Sequence, residues 1–225
     1  MKLFFHYCPA DFSNCYILGT DIPTEDEAAK GRMNSPEASR PGGEQPAREA
    51  LIIDPGNIDP NILYIIEDNN YTLCGVLITH DHAHHVQGLR TIMKIYDTKI
   101  YAVNPVIREH RTTLIRDGEL INIGPFRIEV ISIPGHSADS AVYKTDGLLF
   151  TGDTLSAGLI GSTASSFAAA TQVTALRSKI LSLPGDYTVL PGHGPPTSLE
   201  AERRFNFSMN LFEQQKNRRP VYKIE

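Results

Sequence analysis

No stretch of this sequence approaches the roughly 20 consecutive apolar residues of a membrane-spanning helix, so a membrane-embedded protein is not expected. The opening Met1-Lys2-Leu3-Phe4-Phe5 is broken at His6, which leaves no apolar core for a secretory leader. Cysteine is scarce: Cys8, Cys15 and Cys74 are odd in number and form no C-x-x-C pair. That set fits free thiols in a reducing compartment and argues against a zinc–thiolate site. These absences predict a cytoplasmic protein. Clustered cations are missing too, since 21 Lys and Arg against 26 Asp and Glu leave a net charge of −5. A nucleic acid or an anionic membrane requires clustered cations, and the pair Arg218-Arg219 is too short to supply them. A small-molecule substrate is therefore the expected partner, with oligomeric state left open.

What is present is ordinary globular chemistry, with 41% hydrophobic and 21% charged residues in 225. This suffices for one domain over 1–225. Residues 20–49 are rich in Glu, Ala, Pro, Gly, Ser and Arg with almost no large apolar side chain, and are expected to form a flexible insertion. Elsewhere strand-like and helix-like segments alternate. Strands are predicted at 3–5, 15–18, 50–53, 73–78, 99–103, 120–123, 126–133, 141–143, 148–150 and 187–190, from short apolar runs bounded by turn residues. Helices are predicted at 58–69, 85–96, 171–183 and 198–207, the last capped by Ser198. The class is α/β, with helices on the outer faces of sheets.

Six of the eight histidines fall where predicted strands end. Thr79-His80-Asp81-His82-Ala83-His84-His85 follows the apolar run Val76 to Ile78. In an extended chain His80 and His82 point the same way and Asp81 the opposite way, while a helical turn then brings round His84 and His85. Three further strand ends read Pro134-Gly135-His136, Thr151-Gly152-Asp153 and Pro191-Gly192-His193, each with glycine directly before the candidate ligand. Glycine permits the sharp turns and close approach that such a site needs. Imidazole and carboxylate suit zinc, iron or manganese, and two such ions need a bridging carboxylate, for which Asp153 is placed. His6 and His110 sit in no such pattern and are left out.

These motifs, with Phe12-Ser13-Asn14-Cys15 and Ile53-Asp54-Pro55-Gly56, resemble the metallo-β-lactamase superfamily, and within it short glyoxalase II-like hydrolases. The resemblance implies a four-layer αββα sandwich, two mixed β-sheets face to face with helices outside. It implies two divalent ions, zinc foremost and iron or manganese as alternatives. His80, His82 and His136 would hold one ion, His85 and His193 the other, with Asp153 bridging and Asp54 bracing the metal loop from behind. The family's H-x-H-x-D-H pattern departs here, because His84 stands where the aspartate belongs. His84 is accordingly expected to ligate the second metal and, with Asp153, to act in catalysis, or else to turn away and leave one metal. Gly158-Leu159-Ile160-Gly161-Ser162 lacks the arginine that often closes this family's segment, which makes the pocket edge less cationic.

The expected function is hydrolysis of an ester, thioester, lactone or phosphoester by a metal-activated water. Two alternatives stand beside it: a mononuclear iron enzyme similar to persulfide dioxygenases, and a module that holds metal without catalysis.

Overall fold

The computed structural model describes residues 1–21 and 48–217; most of the expected insertion at 20–49 lies outside them, as does Arg218-Arg219. Its edges are ordered more tightly than expected. Thr20 N–H donates to Glu49 C=O at 2.9 Å, so the two ends are joined by a backbone hydrogen bond beside a strand pair.

Strands β1 (Lys2–Cys8), β2 (Ser13–Gly19) and β3 (Arg48–Ile53) run antiparallel in sequence. β4 (Tyr71–Leu77) and β5 (Ile100–Ala102) continue that sheet in parallel. A small hairpin, β6 (Val106–Ile107) with β7 (His110–Arg111), precedes β8 (Thr113–Leu114), which closes the first six-stranded sheet beside β5. The second sheet begins with β9 (Leu120–Ile123), β10 (Phe126–Ser132), β11 (Ala141–Thr145) and β12 (Leu148–Gly152), all antiparallel. After the hairpin β13 (Leu155–Ser156) and β14 (Leu159–Ile160), β15 (Thr188–Pro191) returns parallel to β12 and pairs with β16 (Thr197–Ser198). Both sheets are therefore mixed.

The period-two alternation of strands builds the layers. Tyr16, Leu18, Leu51 and Ile53 from the first sheet join Val130, Tyr143, Phe150 and Leu190 from the second in one buried cluster between the sheets. Their chain neighbours Ile17 and Ile52 face the other way, into a cluster with Ile62, Ile66, Leu89 and Ile92 of the helices. On the far side Ile131, Val142, Leu149 and Val189 pack with Val173, Leu176, Ile180 and Leu199. The result is helix, sheet, sheet, helix. Each such side chain taken fully from water contributes about 1.5–3 kcal/mol.

Helices α1 (Pro60–Asp68), α2 (Ala83–Val86) and α3 (Leu89–Ile95) cover the first sheet. The single helix expected over 85–96 is thus two. Gly88 explains the break: its N–H bonds to Pro55 C=O at 2.9 Å, outside the helical ladder, and a Cβ there would lie 2.5 Å from the same oxygen. α4 (Ser166–Ala175) starts earlier than expected because Ser165 caps it, accepting from Ala168 N–H, and it runs on into a π-helical stretch, Leu176–Leu181. α5 (Leu199–Phe205) is capped by Ser198 as expected. Asn206 ends it and accepts from Met209 N–H, starting α6 (Phe207–Asn217), which the sequence pattern did not reveal. Among the described residues no helix is long and apolar enough to cross a membrane.

Candidate metal centre

Five strand ends converge on one edge of the sandwich. β3 delivers Asp54, β4 the loop of His80 and His82, β10 the loop of His136, β12 Asp153 and β15 His193. Two glycines make the convergence possible. Gly152 has φ +49° at a register shift between β12 and β15, a conformation side-chain-bearing residues rarely adopt. At Gly192 a Cβ would stand 2.4 Å from His85 Cε1 and 2.6 Å from Asp153 Oδ1, so any larger residue would invade the site.

Asp153 is the hub. Its Oδ2 lies 3.8 Å from His80 Nε2, 3.6 Å from His136 Nε2 and 3.6 Å from His193 Nε2, and its Oδ1 lies 3.3 Å from His85 Nε2. His82 Nδ1 sits 3.0 Å from Nε2 of both His80 and His136. Two groups of mutually close donors result: His80, His82, His136 and Asp153, and His85, Asp153 and His193, each within 4.8 Å. Most of these separations exceed hydrogen-bond length. Three of them, at 3.3, 3.6 and 3.6 Å, match two ligands about 2.0–2.2 Å from a shared ion at tetrahedral angles, which stand roughly 3.3–3.6 Å apart. His85 Nε2 and Asp153 Oδ1 are buried without a hydrogen-bond partner, a costly arrangement that a bound cation relieves.

In four of the five rings that join these groups, the nitrogen facing away from the centre is held. His80 Nδ1 meets Thr79 Oγ1 at 3.0 Å, His136 Nδ1 meets Ser162 C=O at 2.8 Å, and His193 Nδ1 meets Phe12 C=O at 2.7 Å. A carbonyl only accepts, so His136 and His193 must carry the proton on Nδ1 and present a lone pair at Nε2. His85 Nδ1 faces Asp54 Oδ2 at 3.2 Å. Asp54, at φ +50°, is itself pinned by Thr79, whose N–H and Oγ1 donate at 2.8 and 2.7 Å.

The electrostatics separate the rings. Burial, aided by the charge on His85, pushes His80 down to about 3, and burial with His136 also lowers His82. Both rings are neutral near pH 7, as metal ligands must be. Burial opposes charge on His85, but the carboxylates of Asp153 and Asp54 outweigh it and hold that ring up at about 10. Burial raises the Asp153 carboxyl, yet His85, His80 and His193 together hold it well below the usual range.

His84 falls outside both donor groups. It is exposed on α2, with its ring edge-on to His193 at a centroid distance of 5.7 Å. Adjacent helical residues point about 100° apart, so when His85 turns inward His84 stays on the rim. Asp81 turns away, as expected, toward Arg108. His6 pairs with Asp59 at 3.0 Å and His110 lies beside Glu109, both away from the centre. The three cysteines are free.

The pattern reading missed several supporting residues. Asp139 accepts from Asp81 N–H and Asn104 Nδ2, steadying the histidine loop. Asn14 Nδ2 donates to Pro191 and Gly194 C=O around His193. Gln172, fully buried on α4, donates to Thr154 C=O at 3.0 Å and Gly161 C=O at 3.4 Å, beside Asp153 and the carbonyl that holds His136. A glutamine in the buried register of α4, beside Val173 and Leu176, was the available signal. The Phe12 and Ser162 carbonyls carried none, because every residue has one.

Comparison with known proteins agrees with this geometry. The metallo-beta-lactamase superfamily profile matches residues 45–193. A probable metallo-hydrolase of Bacillus subtilis is 31% identical over 188 residues, covering 73% of this chain and 89% of the relative. A hydroxyacylglutathione hydrolase of Psychromonas ingrahamii is 31% identical over 117 residues, covering 51% of this chain but only 45% of that longer protein. Among solved structures, ETHE1 from Myxococcus xanthus superposes with a TM-score of 0.71 at 22% identity, covering 98% of this chain and 93% of that one. With the profile spanning well over half its length and the strand-end histidines in place, the chain belongs to the metallo-beta-lactamase superfamily.

Proposed function

We propose that this protein is a hydrolase that directs a metal-activated water at an ester, thioester, lactone or phosphoester of a small molecule. The observation that carries this is the convergence of three imidazole Nε2 atoms on one oxygen of Asp153, with His85 at the other oxygen. His80, His82 and His136 would hold one divalent ion, His85 and His193 a second, and Asp153 both; zinc suits this nitrogen-rich set best, with iron or manganese acceptable. Such ions, when bound, lower the pKa of a coordinated water to about 7 and polarise the substrate's carbonyl or phosphoryl oxygen.

The chain's own residues supply the rest. Asp54 and the Phe12 and Ser162 carbonyls fix the ring orientations before substrate arrives, so little reorganisation accompanies reaction. Imidazole ligands must be neutral to hold a metal, so loading of His85 would be coupled to pH. His84, exposed beside His193, would accept a proton from the attacking water or return one to the leaving group, a role its position near the rim supports. It stands where the family pattern has an aspartate, so the site carries one negative charge fewer. The hydroxyacylglutathione hydrolase relative supports a thioester within the substrate class.

Elemental analysis of purified protein, paired with an ester, thioester and phosphoester screen, tests this. About two zinc or manganese ions per chain with turnover of one such class is the expected result. A single iron with oxygen consumption and no hydrolysis would overturn it in favour of oxygen chemistry, and metal without turnover would favour a binding module.

A further inference from the structure

Behind the metal loop lies a cavity of about 330 Å³, at the lower end of the range of small-molecule sites. Val86 and Leu89, both buried, line its apolar part, while Arg90, Arg108, Glu109 and His110 supply the polar groups. It shares no lining residue with either donor group of the metal centre.

The polar groups are loosely engaged. Arg90 Nε lies 3.7 Å from Glu109, and Arg108 Nε lies 3.4 Å from Asp81, and neither guanidinium makes a hydrogen bond to a described residue. His110 Nε2 is buried without a hydrogen-bond partner, 3.9 Å from the same Glu109 carboxylate. Each guanidinium carries five donors in a planar fork that matches an oxyanion edge. Arg108, in the turn between β6 and β7, has φ +53°, an unfavourable conformation for a long side chain. Strain of this kind is a pointer to function when the residue bears the recognising group. Glu109 offsets one of the two positive charges, but its side chain is 60% exposed and free to swing outward.

We propose that this cavity binds the phosphate group of a small organic phosphate. Two guanidiniums and an imidazole supply donors from three side chains, which suits the three terminal oxygens of a phosphate better than the two of a carboxylate. The cavity is roomier than a free ion requires, and its apolar part suits an organic body. The site also touches the metal loop: Asp81 and the bound phosphate would share Arg108, and Asp81 lies between the metal-facing His80 and His82.

The test is calorimetric titration of the metal-loaded protein with phenylphosphonate, inorganic phosphate and acetate in parallel, on wild type, Arg90→Ala and Arg108→Lys. Arg90 is exposed and lies outside the metal machinery, so Arg90→Ala should keep metal content, melting temperature and basal activity. Phenylphosphonate should show a binding event that weakens at least tenfold in Arg90→Ala and more mildly in Arg108→Lys. Any event at the metals themselves would survive both changes. Inorganic phosphate binding as tightly as phenylphosphonate, with the same loss in the variants, would overturn the organic ligand in favour of the free ion. Isotherms identical in wild type and both variants, or acetate matching phosphonate, would overturn the site as drawn.

Discussion

Asp54 Oδ2 lies 3.2 Å from His85 Nδ1, and the opposite nitrogen of that ring lies 3.3 Å from Asp153 Oδ1. One imidazole is thus gripped between two carboxylates, one behind the metal loop and one at its centre. Asp54→Asn keeps the shape and one acceptor for Thr79, but replaces the other acceptor with a donor and removes the charge behind His85. Metal affinity should fall by about 10–100-fold, the usual effect of losing such a support, while the fold persists. Competition titration with a chelator would read this; unchanged affinity would mean that Asp54 serves only the Thr79 turn.

Gln172 joins the loop after Asp153 to the segment that holds His136. Gln172→Leu removes the side-chain donor from the Gly161 carbonyl and one of two donors from the Thr154 carbonyl, which keeps Gly161 N–H at 3.3 Å. It should destabilise the protein by about 1–3 kcal/mol. It should also weaken retention of the ion held by His136. Thermal unfolding and metal stoichiometry measured together would reveal both losses, and a normal metal count would confine Gln172 to packing.

His84 offers a division between holding metal and moving protons. With its nitrogens outside both donor groups, His84→Ala should keep the metal count and lower kcat by about 10²–10⁴-fold. Should the variant instead lose one ion per chain, His84 would be a ligand.

A pH effect on stability is expected away from the centre. Asp117 accepts from Lys179 at 2.6 Å and from Ser132 N–H at 2.8 Å. Burial alone would raise its carboxyl, but Lys179 and Ser132 outweigh that and lower it below 3.8. A depressed folded-state pKa means stability present above the unfolded value and lost as pH falls through the folded one. Asp117→Asn should therefore be less stable than wild type near neutral pH, with the gap closing below about pH 4. Urea unfolding at several pH values would show this; a gap that stays constant would rule out ionisation as its source.

Much of the fold and of the site was legible in the residue order. The apolar run at 50–53 became a strand buried on both faces, which needs apolar residues at every position, while the run at 126–132 alternates buried and more open positions. The helix expected over 85–96 was the clearest failure. Its periodicity is real, but Gly88 spends its N–H on Pro55, a partner more than thirty residues away that no local pattern announces.

The sequence by itself determined the donor types, their strand-end placement and the glycines that let them converge. These are local properties of backbone and side-chain chemistry. Only the tertiary structure decided that His84 turns to the rim, and that Phe12 and Ser162 lend the carbonyls that fix two rings. Those relations depend on segments up to 181 residues apart meeting within hydrogen-bond range, and on backbone groups that every residue shares.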